Sequence, residues 1–357
     1  MQRKHYLDNI RSLTVILVLI YHAFYIFNGV GVMAAFENTD GVCFFDGFCT
    51  FVYPWFMVLL FCIAGIAARH SVKKRGNRRF IKERARKLMV PSTLGVFILH
   101  WITGYLNIML GGGLSTIPTA LVYPISVLSG IGPLWFAQTV FLYSLFVLLI
   151  SKFESNERLN CWCENSSSVL LILLGLFIFM GAQVLNVPVI SVYRFGIYGV
   201  AFFIGYFFLY FDKVIEKTVK LLPLTFTVSL ILGCIYMWMY FGKNYASDEV
   251  LKSLVTNLYA WFAVLAIIGT GKKWLDKTNK AMQYLNKASF GIYVLHFPVV
   301  MVLGYLLTEY TKLSVAFKGI IVLALGMILT LALNYIVEKI PFIRYCLLGI
   351  EKRKNEI

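Results

Sequence analysis

The chain has 357 residues, of which 59% are hydrophobic, 16% aromatic and only 14% charged. A water-soluble domain carries about 25% charged residues, so soluble enzymes, nucleic-acid-binding modules, disordered linkers and disulfide scaffolds all fit poorly. A mean hydropathy of +0.76 agrees, and the formal charge of +16 then marks loops beside a membrane rather than a nucleic-acid surface.

Crossing a bilayer takes about 20 apolar residues. Stretches free of Asp, Glu, Lys and Arg place spans at residues 12–36 and 47–68. Residues 88–151 then run for 64 positions without a charge. That is room for two spans, with turn-rich breaks at Gly111–Pro118 and Gly130–Pro133. The remaining spans fall at 165–193, 195–211, 221–242, 253–271, 288–308 and 319–337. The expected fold is all-α: ten transmembrane helices in one domain over residues 1–357, with no appended soluble domain. The first apolar run is long enough to span and lacks a small-x-small exit site, so it is expected to be retained rather than cleaved.

Lys and Arg set the orientation. With a cytoplasmic N-terminus and alternating spans, all but five of the 33 basic residues (Arg194, Lys243, Lys252, Lys312 and Lys318) fall on the cytoplasmic side. The reverse topology would export the dense Arg69–Lys87 cluster. Both termini are therefore expected in the cytoplasm of a multi-pass cell-membrane protein.

Among the seven cysteines, Cys43 and Cys49 share the one sizeable outer loop and are candidates for a disulfide on an oxidising side. Cys161-x-Cys163 has no partner ligands, and no metal site is expected. No internal repeat is visible.

The informative residues are ionisable groups that a membrane tolerates poorly. Arg11 opens span one and His22 follows eleven positions later. Eleven steps of 100° make three turns plus about 20°, so both side chains share one helix face, roughly 16.5 Å apart along the axis. That places Arg11 at the cytoplasmic boundary, where its plain role is a snorkelling anchor, and His22 near mid-membrane. A mid-membrane imidazole is a general-base candidate, or else a packing histidine. Arg84, Arg86 and Lys87 run into span three. Topology alone demands basic residues there, yet the i, i+3 pair Arg84 and Lys87 with Arg86 beside them forms a phosphate-clamp candidate. Trp135 opens span four at the outer face, where an aromatic belt is the default and stacking on an acceptor the alternative. His296 lies about 13 Å into span nine, in the core or against a cavity. Glu338 ends span ten, paired with Lys339 or part of a site. Glu37, Asp40 and Asp46 dot the first outer loop.

Five segments carry a family resemblance. Tyr6-Leu-Asp-Asn-Ile-Arg11 followed by His22 resembles the Arg-x10-His signature of the acyltransferase family 3 membrane enzymes. Phe80-Ile-Lys-Glu-Arg-Ala-Arg-Lys-Leu-Met-Val-Pro91 resembles that family's basic segment, and Gly132-Pro-Leu-Trp-Phe136 its Leu-Trp-Phe stretch. Ser289-Phe-Gly-Ile-Tyr-Val-Leu-His296 and Val337-Glu-Lys-Ile-Pro341 are similar to its two last motifs. The five occur in order and cover all ten spans.

The resemblance implies transfer of an acyl group, acetyl above all, from cytoplasmic acyl-CoA to a hydroxyl of a glycan or other cell-surface acceptor. His22 looks like the base, with Arg11 and Glu338 beside it in the catalytic set. Arg11, Arg84, Arg86 and Lys87 look like donor-binding residues if spans one and three are neighbours, and Trp135 and His296 like acceptor-side residues. No permanently bound cofactor is implied: acyl-CoA is a substrate, and membrane lipids and the acceptor are the other partners. Lys87 stands where the family has a second arginine, which keeps the charge but loses the planar fork. A transporter or flippase of a glycan or lipid intermediate is the competing class. It calls for internal repeats and several intramembrane acids, whereas apart from His22, His100 and His296 the span interiors contain no evident acid.

Overall fold

The computed structural model describes residues 4–32, 36, 41–154, 157–187 and 193–351. Arg3, Glu37, Asp40, Lys352, Arg353 and Lys354 lie outside these, so the expectations placed on them are not addressed by it. The structure is 84% helical, with no strand among the described residues. Among the described residues, eight helices are long and apolar enough to cross a membrane, and ten candidates result when each of two bent pairs counts as one span. The chain is an all-α polytopic membrane protein.

In chain order the elements are α1 (His5–Tyr25), α2 (Cys43–Arg75), α3 (Asn77–Leu110), α4 (Thr119–Ser129) and α5 (Trp135–Glu154). Then come α6 (Glu157–Glu164) and α7 (Ser168–Gln183), bent by 100°, and α8 (Phe195–Phe207) and α9 (Asp212–Lys220), bent by 109°. They are followed by α10 (Leu222–Tyr240), α11 (Leu254–Trp274), α12 (Lys280–Tyr310), α13 (Val315–Lys339) and α14 (Pro341–Leu348). The long charge-free stretch holds more than the two expected spans. The eleven-residue α4 lies within it, too short to cross a bilayer. Helix α4 packs on α3, where Gly104 leaves no room for a Cβ beside the Ser126 carbonyl.

Helix α1 also stops earlier than the run of apolar residues. The Asn28 side chain donates to the Tyr25 carbonyl (2.8 Å) and the Val32 carbonyl (2.9 Å) and accepts from the Val32 N–H (2.9 Å). The side chain thus offers the backbone a partner outside the helix and ends it. His22 therefore sits in the last turn of α1 rather than at mid-span.

Contacts group the described residues into two compact units. The first draws on Met1–Thr14, Thr50–Ile81 and Leu142–Asn286, the second on Val15–Cys49, Lys82–Phe141 and Lys287–Ile357. In the first unit, a polar network ties the start of α1 to the loop before α12 and to the first turns of that helix. Asn9 donates to the carbonyls of Leu275 and Lys277 (both 2.8 Å), Asn286 donates to Asn9 (2.8 Å), and Ser12 donates to Asn286 (2.6 Å). Asp276 completes it by accepting from the Tyr6 N–H (3.2 Å) and from Lys272 (2.6 Å). Burial alone would raise this carboxyl. The hydrogen bonds from Lys272 and Tyr6 and the charges of Lys272 and His5 outweigh it and hold the group below its ordinary value. A depressed folded pKa stabilises above the unfolded value of about 4, and the gain is lost as the pH falls through the folded value. Asp276→Asn is thus expected to lower the thermal midpoint in detergent at pH 7, with the gap to wild type closing below about pH 4. A gap unchanged at low pH would remove the charge from this account.

In the second unit, Val15, Leu19, Leu134, Ala137, Ile292, Leu295 and Leu347 form one buried apolar cluster. Cys43 and Cys49 both lie on α2, and neither is disulfide-bonded. They stand six helical positions apart, about 9 Å of rise, more than a disulfide spans, so the outer-loop bridge does not form. Asp46, expected in that loop, is buried in the first turn of α2 and accepts from the Gly29 N–H at 3.0 Å.

Candidate active site

All the geometry around His22 lies within the second unit. Its Nδ1 lies 2.8 Å from the Val18 carbonyl, one turn back on α1, and 3.1 Å from Nε2 of His296 on α12. No described residue hydrogen-bonds its Nε2, which is not among the buried polar atoms left without a partner. The ring keeps part of its surface accessible. Phe297 packs edge-on against it at 4.7 Å, with Tyr21 at 5.2 Å and Tyr25 at 5.9 Å. His296 is fully buried, and its Nδ1 faces the carbonyls of Ile292 (3.0 Å) and Tyr293 (2.9 Å).

Why α12 presents these residues follows from Pro298, two positions on. Proline has no N–H, so the carbonyl four residues back loses its helical donor. That carbonyl belongs to Val294, and buried His100 of α3 supplies the missing bond with Nε2 at 2.7 Å. His100 thus satisfies a backbone group freed by proline, beside the two residues that reach His22.

The Gly132–Phe136 and Ser289–His296 segments, far apart in the chain, meet here. The Tyr293 hydroxyl donates to the Pro133 carbonyl (2.6 Å) and accepts from the Ala137 N–H (3.3 Å) at the start of α5. Gly132 adopts φ +45° with its Cα toward Phe297, and a Cβ there would lie 2.9 Å from that ring. Only glycine meets both conditions.

The other sequence-derived candidates are placed as follows. Trp135 is buried at the start of α5, edge-on to Phe136, which itself packs on Tyr293. This is an interior position rather than an aromatic belt. Glu338 lies 3.5 Å from Lys287 and accepts from Asn334 at 3.3 Å, while Lys339 stacks over Tyr335 instead of pairing with it. Buried Arg344 donates to the Glu338 carbonyl at 3.1 Å. In the basic segment, regular helix ends at Arg84, and Ala85–Met89 form a wider π turn that carries Arg86 and Lys87. The i, i+3 spacing of Arg84 and Lys87 therefore does not follow α-helical geometry, a departure that sequence counting misses and that is frequent at functional sites. Arg86 pairs with Glu351, and Lys87 is exposed. Gly349, at φ +61°, sits where a Cβ would strike the Arg86 carbonyl, so the end of α14 lies directly on this segment. Arg11 belongs to the first unit, 3.4 Å from Asp8 and partly exposed.

Residues 4–339 match the family model described as an acyltransferase domain, Acyl_transf_3. No curated protein and no solved structure matches the chain.

Proposed function

The chain belongs to acyltransferase family 3, and on that premise of a membrane acyltransferase we propose that it moves an acyl group, acetyl in the first instance, from cytoplasmic acyl-CoA to a hydroxyl of an extracytoplasmic glycan or other cell-surface acceptor. The observation that carries the mechanism is His22. Its Nδ1 is engaged by Val18 and His296, its Nε2 is bonded to no described residue, and its ring stays partly accessible. That is the arrangement a general base requires.

Arg11 and His22 share the unbroken helix α1, roughly 16.5 Å apart along its axis. A pantetheine arm is of comparable length. CoA phosphates held at the Arg11 end would let the thioester lie beside His22 while the nucleotide stays on the cytoplasmic side. His22 takes the acceptor's proton as its oxygen attacks the thioester carbonyl. The carbon–sulfur bond then breaks, and the proton passes from His22 to the departing sulfur, giving an ester and free CoA. Transfer is direct, because no Ser or Cys is among the groups that hydrogen-bond the His22 ring and an activated nucleophile needs such a contact. Holding both reactants beside His22 would supply rate through proximity.

The basic segment of α3 is a separate candidate for binding the donor's phosphates. Arg84 is partly buried where the π turn begins. Hydrogen bonds to charged groups contribute about 1.5–3 kcal/mol, so Arg84→Ala is expected to weaken acyl-CoA binding by about 10–100-fold and to leave acceptor binding unchanged. Titration of the purified protein with a non-hydrolysable acyl-CoA analogue measures this. Unchanged donor affinity would return the cluster to its role in topology. The function as a whole is tested by mass spectrometry of cell-surface glycans with and without the gene. The mass difference identifies the acyl group and its carrier the acceptor, and identical glycan profiles would remove this acceptor class.

A further inference from the structure

Resting on the reading of His22 as the base, we propose that His296 is its positioning partner, the two rings forming a histidine dyad that fixes the tautomer of His22 and shares the proton it takes up.

The argument begins at the closed end of the chain. The carbonyls of Ile292 and Tyr293 only accept hydrogen bonds, so the His296 Nδ1 that faces both, at 3.0 and 2.9 Å, carries the proton. A neutral imidazole has one N–H, which leaves Nε2 of His296 as a bare acceptor. That acceptor lies 3.1 Å from Nδ1 of His22, and the Val18 carbonyl lies 2.8 Å from the same atom. Nδ1 of His22 therefore donates, and its lone pair sits on Nε2, the nitrogen that no described residue occupies. Two rings and three carbonyls all point the same way.

Two consequences follow. A proton arriving at Nε2 of His22 makes a cation in an apolar span, where a lone buried charge is costly. The Nδ1 proton of His22 can then move onto Nε2 of His296, whose Nδ1–H already donates to two carbonyls, so the charge spreads over both rings. The chain also ends on carbonyls that have no proton to pass on. The proton removed from the acceptor hydroxyl as its oxygen bonds the thioester carbon has no exit through His296. When the carbon–sulfur bond breaks it returns through Nε2 of His22 to the thiolate, and all atoms are accounted for in the ester and the CoA thiol. A carboxylate in place of His296 would do similar work in water-facing enzymes. A neutral imidazole is the cheaper group to bury in a membrane.

The test uses the full chain in nanodiscs. Glutamine at position 296 keeps an acceptor oxygen near the place of Nε2, whereas leucine removes it. His296→Leu is expected to lower kcat by about 10–100-fold, the size seen when the outer hydrogen-bond partner of a metal-ligating histidine is lost, with the KM for acyl-CoA unchanged. His296→Gln should recover most of that loss. Nitrogen-15 NMR of histidine-labelled wild type should find His22 protonated at Nδ1, with a coupling across the hydrogen bond to Nε2 of His296. Equal activity of the leucine and glutamine variants, or a His22 protonated at Nε2, overturns the dyad. Should the leucine variant fail to fold, His296→Gln against wild type and the NMR spectrum decide. An active His22→Asn protein sinks the base reading itself. An inactive one alongside a fully active His296→Leu protein sinks the dyad alone.

Discussion

His22→Ala is expected to reduce acyl transfer by about 10²–10⁴-fold, the usual contribution of a positioned general base, while acyl-CoA still binds. The expectation rests on Nε2 of His22, which no described residue hydrogen-bonds. Alanine also removes the donor that faces Nε2 of buried His296, and an unpaired buried acceptor costs about 1–3 kcal/mol. A loss of activity from that variant alone therefore mixes chemistry with stability. His22→Asn separates them, because its amide nitrogen can occupy the place of Nδ1 and still donate to the Val18 carbonyl and to His296. It should melt close to wild type, bind the donor and transfer nothing measurable. Retained activity in either variant defeats the proposal. So does a stable acyl-protein adduct when acceptor is withheld, since direct transfer leaves none.

What the sequence made legible was whatever a bilayer reads by run length and charge. The long apolar helices and the Arg11–His22 register on α1 follow from residue counts, because apolar thickness and 100° per residue leave little freedom. Direction within an apolar run was not legible. The stretch 88–151 has room for two spans on length alone, yet it also holds α4, whose eleven residues cannot cross. Asn28-Gly29 was a readable turn signal that would have ended span one near Tyr25, and the apolar run beyond it masked the signal. Long-range partners were invisible. His22 and His296 are 274 positions apart, and nothing in either neighbourhood names the other. His100 had a subtler mark, since an intramembrane proline always frees a carbonyl four residues earlier, but which side chain answers Pro298 depends on packing. By sequence, Arg69 is one charge in a cytoplasmic loop. In the structure it is fully buried, donates to the carbonyls of Tyr206 (2.9 Å) and Phe207 (3.3 Å) and to the Asn160 side chain, and stacks over the rings of Tyr210 and Phe211.

The second large effect is expected at Gly65, which sets the helix approach that Arg69 uses. A Cβ on Gly65 of α2 would land on the Phe202 carbonyl of α8, and a Cβ on Gly205 of α8 would land on the Cys62 carbonyl of α2. The contact is reciprocal: each helix offers one glycine to the other's backbone, with glycine and carbonyl three positions apart on each helix. In a membrane, where lipid is as apolar as leucine, such close approach is a main source of helix association. Neither side can yield by turning a side chain, because the atoms met are backbone. Arg69 follows Gly65 by one turn and ends on carbonyls of the last turn of α8. The crossing therefore decides whether its guanidinium reaches the helix end it caps. Gly65→Val should force the two helices apart. Overpacking alone costs about 1–3 kcal/mol. Withdrawing hydrogen bonds from a buried charge adds a further penalty of about 3–5 kcal/mol if the contact is fully broken. The expected result is a protein that is not recovered in folded form from detergent, with Gly65→Ala intermediate and the charge-retaining Arg69→Lys less damaging than Arg69→Leu. Thermal unfolding monitored by size-exclusion chromatography reads all four. A Gly65→Val protein that elutes and melts like wild type would show that the crossing has slack, and Arg69 would then need another account of its burial.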